Sequence, residues 1–243
     1  MTIRFATMAQ TVLKWHGHAC FEVETKNKRI IVDPFITGNP KSDLTKEEVK
    51  ADIVLVTHGH TDHLGDAVEI ALKNGATLVT MVELGWALQA KHPDLKVHAI
   101  NYSGTVNVGG IDITSVLAFH TSSLDGGYAG NPMGMVFGDS LKIYHAGDTG
   151  VFKDMELIRE LYHPQISLLP IGGYYTMHVK EATYAASMLR SKYTIPMHYN
   201  TFDAIRSDPV LFKNNVEKAG YSSVIIAEVG KEIKFDDSGN RLD

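Results

Sequence analysis

The sequence contains a single cysteine, Cys20, among 243 residues. It therefore cannot form an intrachain disulfide or a thiolate cluster, so any metal site must use histidine and carboxylate side chains. Cys20 itself is expected to be a small buried apolar residue. No apolar run approaches the ~20 residues of a membrane span, and residues 1–10 lack the apolar block of a signal peptide. We therefore expect a cytoplasmic protein that has no membrane partner.

Positive charge is also scarce. The chain has 23 basic and 28 acidic residues, which gives a formal net charge of -5. This balance gives no positive electrostatic field that would attract a phosphate backbone. Nucleic acid is therefore a disfavoured partner. The expected partner is a small-molecule substrate, and assembly into a homo-oligomer is left open.

The composition is otherwise that of a globular protein, with 44% hydrophobic and 21% charged residues. At this length we expect one domain, residues 1–243, with an ample core. Histidine is the exception, because 12 in a chain of this length is a high number. That excess is the first indication of a metal site.

Short hydrophobic runs alternate with helical spacing along the chain. We predict strands at 11–15, 20–25, 29–32, 53–57, 77–80, within 96–119, at 133–137, 142–145, 166–170, 194–197, 222–227 and 231–235. We predict helices at 44–50, 66–74, 83–91, 152–162, 180–190 and 209–219. Two halves, each a β-rich portion followed by a mixed one, indicate an α/β fold in which two sheets pack face to face with helices outside, a four-layer αββα sandwich.

Residues 58–63 place three imidazoles and one carboxylate directly after a predicted buried strand. Alternate residues of an extended segment point the same way, so His58 and His60 can converge on one ion. Asp62 and His63 begin the next turn and can address a second ion nearby. A polar loop that holds three histidines by chance is the alternative, but the strand before the motif and the helix after it favour a metal site.

This HxHxDH motif after a strand resembles the signature of the metallo-β-lactamase superfamily, whose fold is the αββα sandwich. The chain also offers a match for each later ligand of that superfamily, in the expected order: His120, Asp148 and His198. The resemblance implies that His58, His60 and His120 hold one metal ion and that Asp62, His63 and His198 hold the other. It also implies that Asp148 bridges the two ions.

Neutral imidazole and carboxylate ligands suit Zn²⁺, and the same set accepts Mn²⁺, Ni²⁺ or Fe²⁺. A pair of such ions can activate water, with Asp62 holding the attacking water and Asp148 as the other catalytic carboxylate. The leading hypothesis is hydrolysis of an ester-like bond, in a lactone or a phosphodiester. One rival is a di-iron oxidoreductase, although that branch usually has an acidic residue where this chain has His60. The other rival is a non-catalytic metal-binding regulatory module.

Long stretches outside the ligands, such as residues 15–21, 32–35, 144–150, 169–177 and 196–201, resemble one branch of the superfamily. It comprises small bacterial and archaeal metal-dependent hydrolases related to the ascorbate-6-phosphate lactonase-like enzymes. In related branches the residue at His18 lies near the site, so His18 either contacts a ligand or substrate or is structural. Asp33 is expected to hydrogen-bond a ligand histidine or the loop. His178 replaces a common glycine, and it contacts substrate, begins a helix or binds a metal ion.

Overall fold

The structure, a computed structural model, describes residues 10–242. The segment whose composition argued against a signal peptide lies almost entirely outside these residues. Within the described range, no helix is both long enough and apolar enough to pass through a membrane. The cytoplasmic location stays a prediction.

Sixteen strands and six α-helices follow one another in the described chain. The strands are β1 Thr11–Trp15, β2 Phe21–Thr25, β3 Lys28–Val32, β4 Ile53–Leu55, β5 Thr77–Met81, β6 Lys96–Ile100, β7 Thr105–Val108, β8 Ile111–Leu117, β9 Ser123–Leu124, β10 Gly127–Tyr128, β11 Met133–Gly138, β12 Ile143–His145, β13 Ile166–Pro170, β14 Tyr193–Met197, β15 Ser223–Val224 and β16 Glu232–Phe235. The helices are α1 Thr61–Leu64, α2 Ala67–Asn74, α3 Val82–Lys91, α4 Met155–Tyr162, α5 Val179–Leu189 and α6 Pro209–Lys218, with a 3₁₀ turn at Asp203–Ile205.

Two seven-stranded sheets form the centre of the fold. The first has the order β16-β1-β2-β3-β4-β5-β6, and the second has the order β15-β14-β13-β12-β11-β8-β7. Helices α2 and α3 contact the first sheet, whereas α5 and α6 contact the second. The αββα sandwich predicted from the sequence is confirmed.

The two faces of the first sheet bury different cores, because successive side chains of a strand point to opposite sides. In β4, Ile53 and Leu55 face the large core that both sheets share, while Val54 faces the smaller core under α2 and α3. All three are buried. Such a strand has no solvent face, which is why it is a continuous apolar run in the sequence.

Two details differ from the sequence-based expectations. The helix predicted at 44–50 is wrong, because the segment forms only turns. There, the carboxylate of Glu48 accepts hydrogen bonds from the Thr45 amide, at 3.2 Å, and hydroxyl, at 2.7 Å. This is a helix-start pattern that no further helical turn follows. The strand predicted at 222–227 is shorter than expected, because only Ser223–Val224 forms a strand.

The sheet topology gathers the predicted site residues at one edge. Strands β1, β3 and β4 run in one direction in the first sheet, and β8, β12 and β14 do so in the second. Apart from the residues of α1 and His178, which follows β13, the predicted site residues follow the carboxyl ends of these six strands. Loops at the carboxyl ends of strands are the usual place for binding sites in open α/β sheets.

Candidate metal centre

The segment after β4 brings the first ligand atoms together. In the loop that follows β4, His58 and His60 bring their rings together, and His58 Nε2 lies 3.0 Å from His60 Nδ1. His120 approaches from the end of β8, and one ligand atom of each of the three residues lies within 4.8 Å of the others. Burial lowers the pKa of His58 and of His120, which keeps both rings in the neutral form that binds metal. We call these residues the three-histidine group.

A second set of ligand atoms lies beside the first. It comprises Asp62 and His63 at the start of α1, His198 after β14, and His18 after β1, again within 4.8 Å of one another. His63 and His198 are buried, and their rings stack with centroids 5.4 Å apart. We call these residues the Asp62 group.

Asp148, in the loop after β12, lies between the two groups. Its Oδ1 is 3.2 Å from His63 Nε2, and its Oδ2 is 3.2 Å from His198 Nε2 and 3.5 Å from His120 Nε2. Burial opposes its ionisation, but the neighbouring histidines His198 and His63 keep the pKa of Asp148 well below its usual range. An ionised carboxylate therefore faces ligand atoms of both groups.

Several buried atoms of these groups have no hydrogen-bond partner among residues 10–242: His63 Nε2, Asp148 Oδ1, and both ring nitrogens of His198. An unpaired buried polar atom costs about 1–3 kcal/mol. Burial lowers the pKa of His63, but Asp148 and Asp33 more than offset this and raise it well above the ordinary value. A field that stabilises a proton at His63 also stabilises a metal cation there. The donor set therefore fits divalent metal ions.

Asp33 fixes the orientation of ligands in both groups. It is fully buried, and it accepts hydrogen bonds from the Thr57 amide at 2.8 Å, the Thr57 hydroxyl at 2.7 Å and His63 Nδ1 at 2.7 Å. Because His63 donates from Nδ1 to Asp33, its Nε2 is the nitrogen left to bind a metal ion beside Asp148. Since the Thr57 hydroxyl donates to Asp33, its oxygen accepts from His58 Nδ1 at 3.0 Å, which leaves His58 Nε2 for a metal.

His18 differs from the other members of the Asp62 group, because both of its ring nitrogens have partners. Nε2 lies 3.0 Å from Asp62 Oδ2 and Nδ1 lies 2.9 Å from Thr201 Oγ1. Burial and the neighbouring His198 lower the pKa of His18 to about 4. Burial opposes the ionisation of Asp62, but His18 and His63 hold its pKa well below the ordinary value. The neutral ring therefore donates from Nε2 to an ionised Asp62 and accepts from Thr201.

Three residues of this centre have positive φ. His18, Asp33 and His198 have φ values of 56°, 44° and 54°, in the left-handed region that is uncommon for residues other than glycine. The His198 amide donates to the His18 carbonyl at 2.9 Å, which joins two of the strained residues. Gly172 allows the close approach of the His198 loop, because a Cβ at Gly172 would lie 2.2 Å from the His198 carbonyl oxygen. Such strain persists where the surrounding contacts hold it, and it clusters at functional sites.

The ligand groups lie at the floor of a cleft of about 540 Å³. Its lining includes Tyr175, together with Phe35 and Phe202, whose role the sequence analysis missed. Only the positions of Phe35 and Phe202 in the sequence could have indicated this role. Phe35 lies in residues 32–35 and Phe202 follows residues 196–201, two of the stretches that resemble the related hydrolases. His178 lies outside this cleft: it begins α5, is exposed, and lines a neighbouring groove with Arg206.

Other histidines have structural partners. His145 Nε2 hydrogen-bonds the Ala19 carbonyl at 2.9 Å, and its Nδ1 accepts from the Gly147 amide at 3.1 Å, so it supports the loop that carries Asp148. His16 is buried between Asp43, at 2.7 Å, and Glu22, at 3.2 Å. Cys20 is fully buried, and burial raises the pKa of its thiol.

Comparison with known proteins identifies the family. A model of the beta-lactamase superfamily domain matches residues 12–198, a range that ends at His198 and includes both ligand groups. The chain belongs to the β-lactamase superfamily. The resemblance inferred from HxHxDH and the later ligands is thereby confirmed.

Closer relatives within the β-lactamase superfamily bear the name UPF0173 metal-dependent hydrolase. The protein of that name from Thermoplasma volcanium is 50% identical over 221 residues, which cover 91% of this chain and 97% of the relative. The one from Methanopyrus kandleri is 47% identical over 225 residues, covering 90% of this chain and 97% of the relative. The structure of Igni18, a metallo hydrolase from Ignicoccus hospitalis, superimposes with a TM-score of 0.86 at 40% identity, covering 93% of this chain and 99% of that one.

Proposed function

We propose that this chain is a hydrolase that uses two divalent metal ions to activate water against an ester-like bond, in a lactone or a phosphodiester. The observation that carries the proposal is the position of Asp148, whose two oxygens face histidines of both ligand groups at 3.2–3.5 Å. The printed name of the relatives, metal-dependent hydrolase, supports the same reaction class.

The ligand groups divide the residues between the two ions. His58, His60 and His120 would hold one ion, and Asp62, His63 and His198 would hold the other, with Asp148 shared. When bound, such ions lower the pKa of water and stabilise negative charge that develops on the substrate. A ligand set made only of histidines and carboxylates favours Zn²⁺. Mn²⁺, Ni²⁺ or Fe²⁺ suit the same ligands.

Asp62 is the carboxylate best placed to orient the attacking water. It lines the cleft, is ionised, and is less buried than Asp148, with a side chain that is 30% exposed against 3%. The hydrogen bond from His18 fixes one of its oxygens. The role of Asp62 is then to accept a hydrogen bond from water. Asp148 lies deeper in the cleft, and its ionised carboxylate places a negative charge between the two ligand groups.

The size of the cleft supports a small-molecule substrate. A volume of about 540 Å³ lies within the ~300–1,000 Å³ typical of sites for small ligands. The ligand atoms at its floor are reached from this space through His60 and His120, which are only partly buried. A substrate would therefore enter above the three-histidine group.

Measuring metal content and hydrolysis together tests the proposal. We expect about two equivalents of divalent metal per chain and turnover on a panel of lactones, phosphodiesters and thioesters. His60→Ala and Asp148→Asn should lose turnover, whereas His92→Ala, outside the cleft, should keep it. A pure protein that binds no divalent metal and hydrolyses none of the panel would contradict the proposal. Iron content with oxygen-dependent turnover would favour the di-iron oxidoreductase, and metal binding without any turnover would favour the regulatory module.

A further inference from the structure

The walls of the cleft above the metal ligands are apolar and aromatic. Apart from ligand residues and two threonines, the lining consists of Phe35, Tyr175, Phe202, Ala204 and Ile205. Tyr175 is 57% exposed and Phe202 is 42% exposed, although their rings are large apolar surfaces. A ligand that covers these rings removes apolar area from water, which favours binding by about 25 cal/mol per Å².

The aromatic rings are held at the entrance by contacts with the metal centre. Phe35 and Phe202 have ring centroids 6.2 Å apart, and each meets the edge of His18, at 5.6 and 5.5 Å. His18 also hydrogen-bonds Asp62. Only the His18 side chain therefore separates the rings of Phe35 and Phe202 from the Asp62 carboxylate. A substrate group bound to this aromatic wall therefore adjoins the scissile bond.

The same walls carry no positive charge. None of the described residues that line the cleft is a lysine or an arginine. Lys41 and Arg206 line the neighbouring groove behind Phe202, where Asp203 and Asp208 oppose them. Arg206 Nη2 is also paired with Asp203 Oδ1 at 2.7 Å. A phosphate or carboxylate on the body of a substrate would lose its hydration at this wall without gaining a counter-charge.

We propose that the cleft takes a carboxylic ester or lactone whose body is an uncharged aryl or alkyl group, and selects against a substrate with a phosphate beyond the scissile bond. This inference rests on the proposed function. In the reaction the water oxygen bonds to the acyl carbon, the acyl carbon–oxygen bond breaks, and the leaving oxygen takes a proton from water. The products are a carboxylic acid and an alcohol, joined as one hydroxy acid when the substrate is a lactone.

A matched pair of substrates tests the selectivity. A δ-lactone with a phenyl substituent is compared with the same lactone bearing a phosphate in place of the phenyl group, using the metal-loaded enzyme. The kcat/KM value should be about 10- to 100-fold higher for the phenyl lactone, which is the gain in affinity expected from burying one aromatic group. Equal values, or a preference for the phosphorylated lactone, would overturn the inference.

Variants locate the source of the selectivity. Phe202→Ala and Tyr175→Ala should each raise KM for the phenyl lactone about 5- to 10-fold and change the phosphorylated lactone little. Tyr184→Ala removes another exposed tyrosine, on α5, that does not line the cleft and should change neither substrate. Arg206→Ala should likewise leave both unchanged, and a selective loss of the phosphorylated lactone in that variant would contradict the inference.

A binding measurement separates this inference from the proposed reaction. The lactam analogue of the phenyl lactone is titrated into the metal-loaded protein by calorimetry, together with the phosphorylated lactam. Binding of the phenyl lactam that weakens in Phe202→Ala supports the apolar cleft even if no substrate of the hydrolysis panel is turned over, a result that would contradict only the proposed function. Turnover of lactones or phosphodiesters with no preference for the phenyl lactam would overturn the apolar cleft and leave the hydrolase intact.

Discussion

The two ligand groups are built differently. In the Asp62 group, His63 is held by the fully buried Asp33, and Asp62 is held by His18, which in turn bonds Thr201. In the three-histidine group, only His58 has a partner of this kind, Thr57. His60 and His120 are also only partly buried and line the cleft.

This difference implies that the two ions have different roles. One would be held by ligands that are themselves hydrogen-bonded, and the other would be accessible from the cleft. Hydrogen bonds to the ligands fix ring orientation and raise metal affinity. The supported Asp62 group should therefore bind its ion more tightly, whereas the exposed three-histidine group should exchange its ion more readily and lie closer to substrate. Removing individual supports tests whether the difference is real.

The largest effect is expected from Asp33→Asn. The variant keeps the side-chain shape and suits the left-handed backbone, since asparagine tolerates positive φ. It loses the charge that accepts from His63 and Thr57, so we expect metal affinity at the Asp62 group to fall about 10- to 100-fold. Breaking the buried pair should also destabilise the fold by about 3 kcal/mol. Metal content after dialysis and urea unfolding measure the two effects.

Asp66→Asn is the matched control for this change. Asp66 is another buried carboxylate, which accepts hydrogen bonds from the Ile36 amide at 3.2 Å and the Thr37 amide at 2.7 Å but contacts no metal ligand. It should lower stability without lowering metal affinity. If both variants weaken metal binding equally, the loss reflects general destabilisation, and the supported group has no special role.

Stepwise chelation should show the two ions leaving separately. Under increasing dipicolinate, we expect the ion of the three-histidine group to leave at about tenfold lower chelator than the other. His120→Ala should abolish the early step, and His198→Ala the late one, with metal measured by mass spectrometry. A single step in the wild-type protein, or loss of the late step in His120→Ala, would contradict the comparison.

The ligands were easier to predict from the sequence than their supports. The spacing in residues 58–63 and the superfamily order identified ligand candidates that the fold brings to one edge, because metal chemistry restricts residue type and spacing. The predicted alternative for Asp33, a bond to a ligand histidine, agrees with its contact to His63. Thr57, Thr201 and Phe202 were missed, since hydroxyl and apolar contacts are made by many residue types and depend on tertiary position. For His178 the sequence left substrate contact and a helix start both open; the structure shows the helix start, at the N-cap of α5 and outside the cleft lining.

A smaller effect is expected from His18→Asn. Asparagine suits the φ of 56° but is too short to reach Asp62 in the place of the imidazole. Because the Asp62 side chain is 30% exposed, water replaces part of the lost hydrogen bond, and we expect metal affinity at the Asp62 group to fall only about fivefold. His92→Asn, at the end of α3 and outside the cleft lining, should change nothing. An unchanged affinity in His18→Asn would show that Asp62 needs no support.

The smallest effect concerns His16, which lies two residues before His18 and joins this segment to Asp43 and Glu22. Burial lowers the pKa of His16, but the hydrogen bonds that its ring donates to Glu22 and Asp43 more than offset this, and the pKa is raised above 6.5. Folding therefore favours the protonated ring, so its stabilisation is fully present below about pH 6.5 and is lost as the pH rises through the higher folded value. In urea unfolding, the difference between wild type and His16→Gln should shrink by about 0.5–1 kcal/mol from pH 5.5 to pH 9. A difference that stays constant, or widens, across this range would show that the hydrogen bonds with Asp43 and Glu22 do not favour the protonated ring.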